Sequence, residues 1–205
     1  MAATGSIDLR KTHKAEYVAR KKPALVRVGR ARYLTITGRG EPGGDLFRRQ
    51  LSALFSVAFP IKMASKRAGR DFRMMPLEGL WWPPKGRKTA ATNWNWTLMV
   101  RVPRFVGARA LRAAVDVVSA NSEARALPVG KVTIEEITEG RCVQMLHVGP
   151  YDTEPASITA MHEFAMAQGL EFTGKHHEIY ISDPGRARPA TMKTVLRYPV
   201  TRARP

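Results

Sequence analysis

The stretch KHHEIYIS, residues 175–182, decides how this chain is read. Apolar and polar residues alternate along it, the period of two that marks a β-strand. Ile179 and Ile181 share a face with His177, and His176, Glu178, Tyr180 and Ser182 share the other. The isoleucines are the apolar set, so they are expected under packing helices. Glu178 and Tyr180 are then expected on the helix-free face, toward a cleft. A slip of one residue would exchange the two faces, so the reading commits to one register.

A second strand lies in PLEGLWWPP, residues 76–84. Here Glu78, Leu80 and Trp82 share one face, and Leu77, Gly79 and Trp81 the other. One tryptophan can pack beneath a helix while its neighbour lines a cleft; the pattern does not say which. Gly79 leaves space for a bulge or a close ligand. Carboxylates among large rings suit a flat, apolar molecule held by stacking and a few polar groups. The blander account is that the rings are core or edge packing and that the His-His pair is solvated.

Outward from these strands the chain alternates. ARYLTITG (31–38) reads as a strand, and GRGEPGGD (38–45) as a turn. Asp45 can cap a helix with Leu46, Leu51, Leu54, Phe55, Ala58 and Phe59 at helical spacing. Pro60 is expected to kink or end it. Strands follow at 71–82 and 95–102, joined by the basic loop 83–92, and a helix at about 108–120. KVTIEEIT (131–138) and RCVQMLHVG (141–149) read as two strands with a Glu-Gly turn between them. Thr153 is a plausible cap and Pro155 a first-turn residue for a helix that runs to Gln168. Strands at 175–184 and 190–200 close the chain.

Strand, helix, strand, strand thus occurs twice, at about 31–102 and 141–200. The expected fold is α+β: duplicated βαββ modules forming antiparallel sheets, helices on one face, and a ligand cleft between the repeats. Residues 1–23 are expected to be an extended basic arm, 24–200 the binding domain and 201–205 a basic tail.

Lys plus Arg number 34 against 17 Asp plus Glu, a net charge of +17. That balance favours anionic partners, but the excess sits largely near the two ends and in 62–73. No zinc finger, heptad-bearing basic region or RNA signature accompanies it. Solvated basic faces are expected, and no specific nucleic-acid partner. No run of 18 apolar residues exists, so no membrane span is expected. The N-terminus has no apolar signal core, and Cys142 is the single cysteine, so a reduced, cytoplasmic protein is expected. No Walker A, GxGxxG, GxSxG or HExxH pattern is present. His176 and His177 point to opposite faces, so neither a metal nor any other cofactor is expected. A monomer is expected to suffice.

Five motifs carry a resemblance: LTITGRGEP, LSALFSVAFPIKM, MPLEGLWW, HVGPYDTEP and KHHEIYISDP. Together they resemble the GyrI-like small-molecule-binding family over essentially the whole chain. Pro60 departs from relatives, which commonly carry another residue there. The resemblance implies paired βαββ modules around a ligand cleft. It also implies a free-standing member, because about 23 residues before the first strand are too few for the helix-turn-helix of the larger regulators. Two functions follow from it. Some members bind or sequester drugs or inhibit gyrase. Others resemble cyclopropanoid hydrolases, which open the cyclopropane of DNA-alkylating natural products with water, and PLEGLWW with KHHEIYISDP looks more like that branch. In such a protein Glu178 would be the general base, with Glu78 its rival. Tyr151 or Tyr180 would donate to the developing oxyanion, Trp81 or Trp82 would stack on the substrate, and His176 would line the site.

Overall fold

A computed structural model of the protein describes residues 5–84, 93–124, 126–183 and 185–203. Most of the expected basic loop at 83–92, and the last two residues of the tail, lie outside them. The chain divides into two compact units. The first is drawn from Met1–Thr12, Ala31–Met75 and Trp81–Ile137, the second from His13–Arg30, Pro76–Leu80 and Thr138–Pro205.

The elements in order are α1 (Leu9–Thr12), α2 (Lys14–Tyr17), β1 (Ala24–Gly40), α3 (Asp45–Arg67), β2 (Leu77–Trp82) and β3 (Trp94–Val102). Then come α4 (Ala108–Ser119), β4 (Thr133–Val148), α5 (Glu154–Ala167), β5 (Leu170–Phe172), β6 (His176–Tyr180) and β7 (Lys193–Arg202). Strand, helix, strand, strand occurs twice, with the short β5 added to the second set. The class is α+β, and the registered strand pairs are antiparallel.

In the first unit, β1 pairs with β3 from Arg32↔Val102 to Gly40↔Trp94. Leu34, Ile36, Trp96, Leu98 and Val100 are buried on one face. Helix α3 is fastened to this face by a polar lock: the Trp96 indole N–H donates to Gln50 Oε1 at 2.7 Å, and Gln50 Nε2 donates to the Thr37 carbonyl at 2.9 Å. Phe47 of α3 stacks on Trp81 at 5.8 Å between ring centres and meets Trp96 edge-on at 5.5 Å. Trp81 is therefore the ring that packs beneath a helix. Trp82, the next residue along the strand, is half-buried.

In the second unit β7 is the hub. It pairs with β4 from Cys142↔Pro199 to Val148↔Lys193, with β6 from His177↔Arg197 to Tyr180↔Thr194, and with β5 from Leu170↔Arg202 to Phe172↔Val200. Helix α5 buries Met161 and Ala165 against Val143, Leu196 and Val200.

Several expectations are corrected. The amino-terminal segment is not an extended arm. Asp8 accepts the Arg10 and Lys11 amides at 3.0 and 3.3 Å and starts α1, and Tyr17 of α2 is buried at 2 % exposure. Helix α3 does not end at Pro60 but continues to Arg67: buried Leu54, Val57, Ala58 and Ile61 on both sides hold it down, and tertiary burial outweighs one lost hydrogen bond. Its buried stripe is rotated from the expected one, since Gln50 and Ala53 are buried while Phe59 is 60 % exposed. Gly44 rather than Asp45 is the cap position. β4 is one strand through Gly140, whose φ of +73° is absorbed within it without a turn.

Gly38 sits where the lock closes. A Cβ there would lie 2.2 Å from Gln50 Oε1 and 2.6 Å from the Trp96 ring. Gly38→Ala is therefore expected to destabilise the protein by about 1–3 kcal/mol through overpacking, read as a lowered urea midpoint with unchanged slope.

Candidate functional site

β6 organises the second unit because both of its faces are buried, and the two faces carry different chemistry. The β6–β7 register sets Glu178 opposite Leu196 and His177 opposite Arg197. Paired residues share a face, and Leu196 packs on α5. Glu178 therefore stands on the α5 face, and Ile179 with His177 on the other. This reverses the expectation from the sequence. The apolar residue was assumed to seek the helix, but the opposite face is closed as well and holds its charges by pairing them.

On that opposite face His177 lies between two carboxylates. Its Nε2 donates to Glu78 Oε2 and its Nδ1 to Glu139 Oε1, each at 3.0 Å. Carboxylates only accept, so both nitrogens carry protons and the ring is an imidazolium. Burial pulls its pKa down, but the charge and hydrogen bond of Glu139, with the hydrogen bond of Glu78, outweigh this and raise it to about 9. Burial pushes Glu139 up, and His177 and Arg197 more than reverse that, to about 2. Tyr17 donates to Glu78 Oε1 at 2.7 Å, and Arg197 donates to Glu139 at 2.8 Å, to Gln144 and to the Glu16 carbonyl. Glu78 is thus 0 % exposed with both oxygens occupied. The structure does not bring it together with Glu178.

The α5 face is built by HVGPYDTEP. Gly149 adopts φ +146°, and a Cβ there would meet Thr153 Oγ1 at 2.9 Å. His147 hydrogen-bonds Ser157 Oγ through Nδ1 at 2.9 Å, while its Nε2 lies 3.2 Å from Thr153 Oγ1. These bonds tie strand end, turn and first helical turn together, placing Glu154 at the start of α5. The ligand atoms of Glu154, His176 and Glu178 lie within 4.8 Å of one another. Sequence reasoning missed Glu154, because its partners are more than twenty residues away and it read as an ordinary first-turn acid. Its clearest signal was its place within HVGPYDTEP, one of the motifs that carry the family resemblance.

His176 and Glu178 approach to 3.1 Å, but without hydrogen-bond alignment. Neither ring nitrogen of His176, nor Glu154 Oε1, has a hydrogen-bond partner among the described residues. His176 is 9 % and Glu154 6 % exposed. Burial first, and then the Glu178 charge, raise Glu154 to about 9, so it keeps its proton at neutral pH. Rings surround the acids: Tyr198 stacks on Phe172 at 4.3 Å and lies 4.6 Å from His176, and Tyr151 meets Tyr180 edge-on at 6.0 Å. Burial, then Glu178 and Glu154, push Tyr151 and Tyr198 up to about 12. Both hydroxyls stay protonated and can donate. Cys142 is buried, with its thiol pushed up to about 12 by burial and by Glu139, so it offers no thiolate at neutral pH.

Glu154, His176 and Glu178 are the described residues that could together hold a cation.

The GyrI-like small molecule binding domain family matches residues 32–201. The chain belongs to this family. A hydrolase from Listeria innocua is 35 % identical with a TM-score of 0.87, covering 96 % of this chain and 100 % of its own. A second structure described as a hydrolase from that organism has the same identity and coverage at a TM-score of 0.84. A conserved, uncharacterized Listeria innocua protein is 36 % identical at 0.89 over the same shares. The EcmrR C-terminal domain, 13 % identical at 0.55 over 89 % of this chain and 98 % of its own, shares the GyrI-like fold. No match was found among curated protein sequences. No helix among the described residues is long and apolar enough to cross a membrane.

The buried charges make stability depend on pH with a definite sign. The contribution of Glu139 is complete above about 4.5 and is lost as pH falls through about 2. That of His177 is complete below about 6.5 and is lost as pH rises through about 9. Glu154, also raised, penalises the folded state increasingly from about 4.5 through about 9. Unfolding free energies from denaturant titration should therefore decline on the alkaline side, by up to about 1.4 kcal/mol per pH unit for each group that titrates in only one state. His177→Ala should cost about 3–5 kcal/mol, the scale for breaking a buried pair, and should remove part of that alkaline slope. A flat profile, or a harmless His177→Ala, would contradict the imidazolium assignment.

Proposed function

We propose that this GyrI-like protein hydrolyses cyclopropane-containing DNA-alkylating molecules, a protective detoxifying reaction, with Glu178 as general base. The observation that carries the reading is the half-buried Glu178 standing beside Glu154 and His176 and among Tyr151, Tyr180 and Tyr198. The full-length likeness to two Listeria proteins described as hydrolases supports water chemistry. The motif resemblance to cyclopropanoid hydrolases supports the substrate class.

The reaction suits these residues. A spirocyclopropane conjugated to a carbonyl is opened when water attacks its methylene carbon and the ring electrons pass to the carbonyl oxygen as a phenolate. Glu178 takes the proton of the attacking water. Tyr151, 41 % exposed and protonated, donates a hydrogen bond to the phenolate oxygen. Tyrosine rings give a flat substrate a surface to stack on, and burial of the acids strengthens each interaction.

A second reading is sequestration without turnover, favoured by the same acids among rings, which would hold a cationic aromatic compound equally well. Glu178→Gln separates the two. Under the hydrolase reading, ring opening of a spirocyclopropane alkylator, followed chromatographically, falls by roughly 10²-fold or more, while binding measured by calorimetry changes little. Under sequestration the unmodified protein returns the alkylator unopened, and Glu178→Gln weakens only the binding of cations.

A further inference from the structure

We infer that Glu154 is a second catalytic carboxyl, which holds the attacking water jointly with Glu178. The inference rests on the hydrolase reading and adds a residue to it. Three observations carry it. Glu154 is buried at the start of α5, yet its Oε1 has no hydrogen-bond partner among the described residues. Its ligand oxygen lies within 4.8 Å of the ligand atoms of Glu178 and His176, close enough for one water to reach both carboxylates. The turn that places it is over-determined, by Gly149 at φ +146° and by the bonds of His147 to Ser157 and Thr153. An unpaired buried polar group costs free energy, and two carboxylates this close do not both ionise readily. One proton therefore belongs to the pair, and Glu154, the more buried of the two, carries it.

The division of labour follows. Glu178 accepts one hydrogen of the water, and the uncharged Glu154 carboxyl accepts the other, leaving a lone pair directed at the substrate. Glu178 removes its proton as the water oxygen bonds to the cyclopropane methylene. The ring carbon–carbon bond breaks, and its electron pair reaches the carbonyl oxygen as phenolate. That phenolate is then protonated at the expense of the Glu178 acid through solvent, which restores the base. The sum is addition of one water, with nothing oxidised or reduced. Glu154 keeps its proton throughout, so a second negative charge never opposes the developing phenolate.

The test is the steady-state ring opening of a spirocyclopropane alkylator by the wild type and by Glu154→Ala, Glu154→Gln and Glu178→Gln, at pH values on both sides of 9. Glu154→Ala, which no longer holds the water, should lose about 100-fold in kcat with KM little changed. Glu154→Gln, which keeps an acceptor oxygen but not the acid, should recover about tenfold of that loss. It should also show a smaller alkaline decline than the wild type, since the part due to Glu154 is gone and the part due to His177 remains. If Glu154→Ala keeps full activity while Glu178→Gln is inactive, the inference fails and the base assignment stands. If Glu154→Gln is as impaired as Glu154→Ala and retains the whole of the wild-type alkaline decline, the inference also fails. If Glu154→Ala does not fold, the pH profile of Glu154→Gln decides alone. A wild-type protein that leaves the alkylator unopened overturns both readings.

Discussion

The second unit depends on one interaction: the His177 ring held between Glu78 and Glu139. A charged imidazole without solvent exposure is stable only when both of its protons are satisfied, and here each meets a carboxylate. The clamp fixes the register of β6. With His177 directed away from α5, its neighbours His176 and Glu178 must point toward it. The placement of the candidate base among aromatic rings is thus a consequence of how the opposite face of the same strand is paired. The two faces use ionisation in opposite ways. Beneath β6, opposite charges cancel and pKa values move apart to keep both ions. Above it, like charges crowd, and one acid retains its proton.

The two faces also separate the roles of the two glutamates that share a polar setting in the sequence. Glu78 is saturated by Tyr17 and His177 and serves the frame. Glu178 is left with a misaligned histidine at 3.1 Å and a neighbouring acid. Polar atoms left unpaired in a folded interior are costly, so their concentration around Glu178, beside rings that a flat molecule can stack on, is the feature a binding site needs and a frame does not.

Much of the architecture was legible in the chain. Alternation in 95–102 and 190–200, helical spacing in 108–120 and the turn in HVGPYDTEP each led to the element observed, because local pattern and tertiary burial agree there. Legibility failed where distant partners decide. The rule that isoleucines face helices misassigned β6, since His177 is buried by Glu78 and Glu139, 99 and 38 residues away. Pro60 looked like a helix end because its cost is local and the compensating burial of Val57 and Ile61 is not. Tyr17 lay in a polar segment with no periodicity, and its bond to Glu78 joins it to a residue 61 positions away. Tyr151, Tyr180, His176 and Glu178 were all singled out and all lie on or beside the α5 face. Glu154 was passed over for the same physical reason that misassigned β6.

The central claim is that Glu178 acts on water and not directly on carbon. A single turnover in oxygen-18 water, with protein in excess over a spirocyclopropane alkylator, tests it directly. General-base catalysis predicts one labelled oxygen in the ring-opened product from the first turnover, and no modified glutamate in the protein digest. Unlabelled product, or an ester joining the opened substrate to Glu178, would contradict the account.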